Sequence, residues 1–199
     1  MEYFGHILIL INIYIILTVS TGLIVGLSRM ISLGQAAFYG IGAYVTALCI
    51  IMLDLSLIPS LIIVMLVNAA ISLLLAIPAI RLKGDFFILA TLAFQFIIFA
   101  LLNNLTDITR GSYGIGGIGP AYLTGDIVIS GTTFFVVLSI AMAMVILAIF
   151  YLIYHSPFGT VLRAIREDEV ALQTMGRNTR KKKVVAFIIS SAFLGWASY

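Results

Sequence analysis

Charge is what this 199-residue chain has least of: Asp, Glu, Lys and Arg make up 10% of it, against 62% hydrophobic residues. A water-facing domain carries roughly 25% charged residues, so most of the outer surface here is expected to face lipid. Cysteine is almost absent too. The single Cys49 lies within an apolar run, which excludes an internal disulfide framework and reads as a small buried hydrophobe. No G-x-x-x-x-G-K-[ST] loop is present, so the chain has no cradle for ATP phosphates. The apolar runs hold no nucleophile with its base, no carboxylate pair and no metal-ligand cluster, which argues against a membrane-embedded enzyme. No cofactor or metal is expected.

What is present is length of apolar chain. Crossing the hydrocarbon core takes about 20 apolar residues in a helix. Six runs free of Asp, Glu, Lys and Arg stand at 7–25, 36–53, 57–80, 86–102, 127–154 and 184–199. They are continuously apolar rather than alternating, which excludes barrel strands. The first run has Glu2 and no Lys or Arg before it, and is expected to be a span rather than a signal peptide. The fold expected is therefore all-α, a polytopic transmembrane helical bundle of about six spans forming one domain over 1–199. The last run, 16 residues, reaches only about 24 Å, and the chain is expected to be incomplete at its C-terminus.

Threading six spans alternately places Arg29, Arg81, Lys83 and the stretch 155–183 on one face. That face holds 10 of the 11 Lys and Arg residues; Arg110 is on the other. Such an excess marks the cytoplasmic side, so the N-terminus, Asp54 and the loop 103–126 are expected outside. The net charge of +3 thus reads as a topology signal, and no nucleic-acid partner is expected.

Four features carry functional information. Gly22 and Gly26 form G-x-x-x-G, and Ala36, Gly40, Ala43 and Ala47 make a stripe of small residues. Such a stripe suits close helix packing, or a broken helix over 26–34 beside a solute path. Polarity within the runs is sparse: Asn12 alone, Asn68 with Ser72, and Thr91 with Gln95, each pair four apart. Both histidines, His6 and His155, sit at run ends and no run contains a carboxylate, so proton-coupled transport is disfavoured. Gly114, Gly116 and Gly119 spell G-x-G-x-x-G, but between two apolar runs and without a βαβ unit, so the dinucleotide reading is rejected. Finally, HSPFGTVLRAIREDEVALQTMG predicts one helix of about five turns, with Ser156 as N-cap, Pro157 at the first position and Gly176 at the end. Phe158, Val161, Leu162, Ile165 and Leu172 form its apolar stripe. Glu167, Asp168 and Glu169 interrupt the positive field, so this mixed-charge helix suits a protein groove better than an anionic lipid surface.

Three blocks together resemble the LivM-type permease subunits of branched-chain amino acid ABC importers. They are SLGQAAFYGIGAY at 32–44, GDFFILATLAFQ at 84–95 followed by LNN and YGIGGI, and SPFGTVLRAIREDEVALQTMG at 156–176 followed by KKKVVAFIISSAF. The resemblance runs from about Gly22 to Ala197. It implies a bacterial or archaeal cytoplasmic membrane protein that works with cytoplasmic ABC ATPase subunits, a second homologous permease and an external substrate-binding protein, surrounded by membrane lipid. It implies an ATPase-coupling loop within 155–183, represented here by Arg163, Arg166, Glu167, Asp168, Ala171 and Gly176. Only Ala171 and Gly176 match the E-A-A-x-x-x-G pattern of such loops. Candidates for the translocation path are Ser32, Gly34, Gln35, Gly40, Thr91 and Gln95. Arg29 and Arg110 stand where such permeases often carry Gly or another small residue, and family members continue for several helices past Ser198. A secondary transporter or channel without an ATPase stays open from the residues alone, since sodium coupling through broken helices needs no buried charge.

Overall fold

The structure is a computed structural model and describes residues 2–53, 55–82, 84–111, 114–115 and 132–198. Those residues are helical or irregular, with no strand among them. The apolar runs become α1 (Glu2–Ser28), α2 (Gln35–Leu53), α3 (Leu57–Ala79), α4 (Asp85–Asn104) and, after the four-residue α5 (Thr106–Thr109), α6 (Thr132–His155). All but α5 are long and apolar enough to cross a membrane. The polar stretch that follows forms α7 (Pro157–Glu167) and α8 (Glu169–Thr174), and α9 (Thr179–Leu194) runs into a 3-10 turn, Gly195–Ser198.

Local chemistry sets the ends. α1 stops where Arg29 takes φ +55°, and α5 is capped by Arg110 at φ +57°. These are the two non-glycine residues with positive φ among the described residues. A side chain there costs about 1–2 kcal/mol against the right-handed form, so both are sites where glycine would sit more easily. α3 carries Pro78 in its last turn, where few ladder bonds remain to lose. Asp85 opens α4 beside the positive end of its dipole.

The sixth run proved to be the centre of the bundle. α9 packs most extensively on α3 and also against α1 and α2. Phe187, fully buried, sets its ring edge-on to Phe38 of α2 at 5.8 Å and to Phe87 of α4 at 6.3 Å. Further along, Phe193 meets Phe150 of α6 at 5.4 Å. Lipid tails are as apolar as these side chains, so close packing and interhelical hydrogen bonds hold such helices together rather than escape from water. Such bonds join the long helices here. Asn12 Nδ2 of α1 donates to Ser139 Oγ of α6 (3.0 Å), Asn68 Nδ2 of α3 to the Phe38 carbonyl of α2 (3.1 Å), and Ser190 Oγ of α9 to the Ser20 carbonyl of α1 (2.6 Å). Gly195 lies so close to Asn68 and Val64 that a Cβ would collide with both.

Three expectations change. The polar stretch is two helices, not one of five turns. Gly22 and Gly26 have no atom within 4 Å of where a Cβ would stand, so the G-x-x-x-G is not a packing seam within the chain. The buried face of α2 is formed by Ala37, Phe38, Ile41, Gly42, Thr46, Ala47 and Cys49; of the stripe of small residues only Ala47 lies on it, whereas Ala36 is exposed and Gly40 and Ala43 are half-buried at its edge. The expectations for Asp54, Lys83, Gly116, Gly119, most of the loop 103–126 and the opening of the run at 127 lie outside the described residues.

Candidate functional site

The first site is built by the chain between α1 and α2. Over 29–34 burial alternates: Met30, Ser32 and Gly34 are buried while Arg29, Ile31 and Leu33 are exposed. The segment is non-helical: Arg29 is left-handed, 30–32 take no regular structure, and 33–34 bend into α2. It runs down the side of α4. Leu33 N–H donates to Thr91 Oγ1 (3.1 Å), whose hydroxyl donates to the Ile88 carbonyl (2.9 Å). Thr91 stands six residues into α4, about 9 Å along its axis, so this non-helical backbone reaches well below the helix's first turn. Non-helical backbone at that depth must be satisfied by protein. Thr91 satisfies Leu33, and Ser32 Oγ accepts from Gly34 N–H at 3.3 Å.

Gly34 lets the two backbones approach, for a Cβ there would stand 3.3 Å from the Thr91 carbonyl and 3.6 Å from Phe94. Gln35 then opens α2, and its Oε1 and Nε2 are both shielded from solvent without a hydrogen-bond partner. Leaving such an amide unpaired costs about 1–3 kcal/mol, and chemically it offers one acceptor and one donor group to a polar guest. Thus Ser32, Gly34, Gln35 and Thr91 come together along one segment. Gln95 is half-buried one turn beyond Thr91, and Gly40 faces Leu102 of α4, 3.6 Å from its would-be Cβ.

The second site is the α7–α8 segment. Ser156 is the N-cap as its position suggests, accepting from Gly159 N–H at 3.2 Å, with Pro157 in the first turn. The apolar stripe turns inward. Leu162 and Ile165 are buried, and Phe158, Val161 and Leu172 pack on the bundle's own core, so the groove this stripe fills belongs to the chain itself. At Asp168 the backbone swings to φ −149°, ψ 100°, ending α7, and its carboxylate accepts from Ala171 N–H (3.0 Å) to cap α8. Gly176 closes α8 at φ +75°, its N–H bonding Gln173 O while Arg177 N–H reaches Leu172 O. This is the paired arrangement that only a left-handed residue permits cheaply.

The expected coupling residues therefore divide. Arg163 lies over the Tyr154 ring, 4.6 Å from its centroid, and donates to the Tyr154 carbonyl and Thr160 Oγ1, both at 3.4 Å. Arg166 Nη1 donates to the Gly26 carbonyl at 2.7 Å, tying α7 to the end of α1. Both arginines brace the segment. Asp168 and Gly176 shape its backbone, Ala171 is half-buried, and Glu167 is exposed. Missed from the sequence was Glu169, which pairs with Lys183 Nζ (2.7 Å) and accepts from Thr179 Oγ1 (3.1 Å), docking α8 on the start of α9. Missed too were Val170 and Met175, apolar side chains left 68% and 77% exposed on α8. Their one signal was an apolar residue out of phase with the stripe.

A family profile described as the permease component of branched-chain amino acid transport systems matches residues 3–198. The high-affinity branched-chain amino acid transport system permease protein LivM of Escherichia coli K12 is 36% identical over 93% of this chain and 49% of its own length. The namesake in Salmonella typhimurium gives the same figures. The guanosine ABC transporter permease protein NupQ of Bacillus subtilis is 31% identical over 41% of this chain and 24% of its own. The chain spans about half the length of the first two. No solved structure matches it.

Proposed function

Because the chain belongs to the family of permease components of branched-chain amino acid transport systems, we propose that it is the membrane-spanning part of an ATP-driven importer of leucine, isoleucine or valine. It is a multi-pass membrane protein and no enzyme; ATP is hydrolysed on a partner. An external binding protein delivers the solute, a second homologous permease completes the path, and the bilayer is the cytoplasmic membrane of a bacterium or archaeon. The observation that carries this reading is 36% identity to a named permease over an alignment covering 93% of the chain. Residues 1–199 then act as one permease domain with the N-terminus outside.

In this reading α7–α8 is the segment through which ATPase movement enters. Glu167, Val170 and Met175 face the ATPase, while Arg163, Arg166, Asp168, Ala171 and Gly176 hold that surface in place. Ser32, Gly34, Thr91, Gln95 and Gly40 flank the solute path, and the unpartnered amide of Gln35 is the polar contact within it. The guanosine permease favours a second substrate class, nucleosides, but it matches less of the chain.

The test uses the complete transporter. Val170→Asp with Met175→Asp is expected to lower ATPase co-purification and leucine uptake at least tenfold, with the permease still eluting as a folded species. Unchanged co-purification would remove α8 from the ATPase interface. Uptake of labelled leucine, undiminished by excess guanosine, separates the two substrate classes.

A further inference from the structure

At the end of the bundle where α7 and α8 lie, a cleft of about 560 Å³ opens between the ends of α1 and α3, the start of α4 and the start of α9. Arg29, Arg81, Arg166, Arg180 and Lys183 line it, against the two carboxylates Asp85 and Glu169. Lys183 and Glu169 neutralise each other at 2.7 Å, and Arg166 is directed to the Gly26 carbonyl. Arg29, Arg81 and Arg180 remain exposed on three different elements, facing one cleft with a single further carboxylate.

A second observation points the same way. The first five residues of α9 include Arg180, Lys181, Lys182 and Lys183, and its first turn holds no acidic residue; of these Arg180 and Lys183 line the cleft, beside the positive end of the helix dipole, where an anion is the favoured neighbour. Glu169 already answers Lys183 and Thr179 there, so an added anion in the cleft would chiefly relieve the arginines, Arg180 among them. Arg29 is also held at φ +55°, a conformation that a glycine would occupy at less cost. The cleft sits where Ser28 ends α1 and Asp85 opens α4, and the apolar side chains of Ile31 and Leu82 are exposed on its walls. With α1, α3 and α4 read as membrane spans, their ends are the level at which phospholipid headgroups are expected.

We propose that this cleft binds a phosphate group, presented by the headgroup of an acidic phospholipid; free inorganic phosphate shares the recognition chemistry. Arginine forks suit phosphate oxygens, and the rim of Ile31 and Leu82 suits acyl chains better than water. The inference does not depend on the transport function.

Native mass spectrometry of the full chain in detergent, with phosphatidylglycerol or phosphatidylcholine added, reads it directly. Wild type is expected to retain phosphatidylglycerol and not phosphatidylcholine. Arg81→Gln with Arg180→Gln is expected to weaken retention about 30-fold, from roughly one factor of five per basic group. The control, Arg177→Gln with Lys181→Gln, removes the same charge outside the cleft and is expected to change retention far less. Displacement by inorganic phosphate would identify the phosphate itself as the recognised group, and failure to displace would assign the site to the lipid. Should the double variant not fold, Arg180→Gln alone is expected to cost about fivefold. Equal retention of both lipids, equal loss in the two double variants, or loss of phosphatidylglycerol from wild type whenever the ATPase binds, would each overturn the proposal, the last giving the cleft to a protein partner.

Discussion

α7 and α8 are neighbours in one polar stretch that the structure treats in opposite ways. α7 buries Gly159, Leu162 and Ile165 and is fastened by Arg163 to the Tyr154 carbonyl and by Arg166 to that of Gly26. α8 has no fully buried residue, rests half-buried Leu172 on the core, turns Val170 and Met175 outward, and is held through Glu169 and Lys183. One helix is a foot, the other a fingertip. The difference teaches that an amphipathic segment between two spans need not offer its apolar face to a partner, because its own bundle can take that face and leave a smaller surface for others.

The comparison can be broken most severely at the foot. Leu162→Ala is expected to destabilise the protein by about 3 kcal/mol, since a fully enclosed leucine leaves a cavity that its neighbours close only in part. Thermal unfolding in detergent measures this, and a loss below the effect of any α8 substitution would reverse the two roles. The joint comes next. Asp168→Ala removes the α8 cap and is expected to cost about 1 kcal/mol, with faster amide exchange over 169–175 and unchanged exchange over 157–167. Equal acceleration in both helices would mean that they move as one unit. At the fingertip, Val170→Ala with Met175→Ala is expected to shift stability by less than about 0.5 kcal/mol. Any larger loss would show that α8 is packed, not presented.

Much of this was legible beforehand. The five long helices follow from apolar runs that water could not solvate, and Ser156, Pro157 and Gly176 announced the two ends of the polar segment. The left-handed positions were marked as well, since Arg29 and Arg110 stand where the family often has small residues. The break at Asp168 was not seen, because Glu167, Asp168 and Glu169 read as a charge run rather than as an end followed by a cap. The inward turn of the α7 stripe was hidden for a different reason: periodicity says that a face is apolar, never what covers it. Glu169 and Lys183 lie 14 residues apart on different helices, a pairing that no local spacing reveals. At the path, Thr91 was noticed for its polarity, but only tertiary structure joins it to Leu33.

Phe187 sits wedged between Phe38 and Phe87, on a helix synthesised after α1 to α8. Until α9 emerges from the ribosome, the earlier spans surround an unfilled centre, and Asn68 and the Ser20 carbonyl lack neighbours they later acquire. Packing of these earlier spans therefore waits on α9, and in that interval membrane proteases and insertion chaperones meet helices that are threaded but not yet packed together.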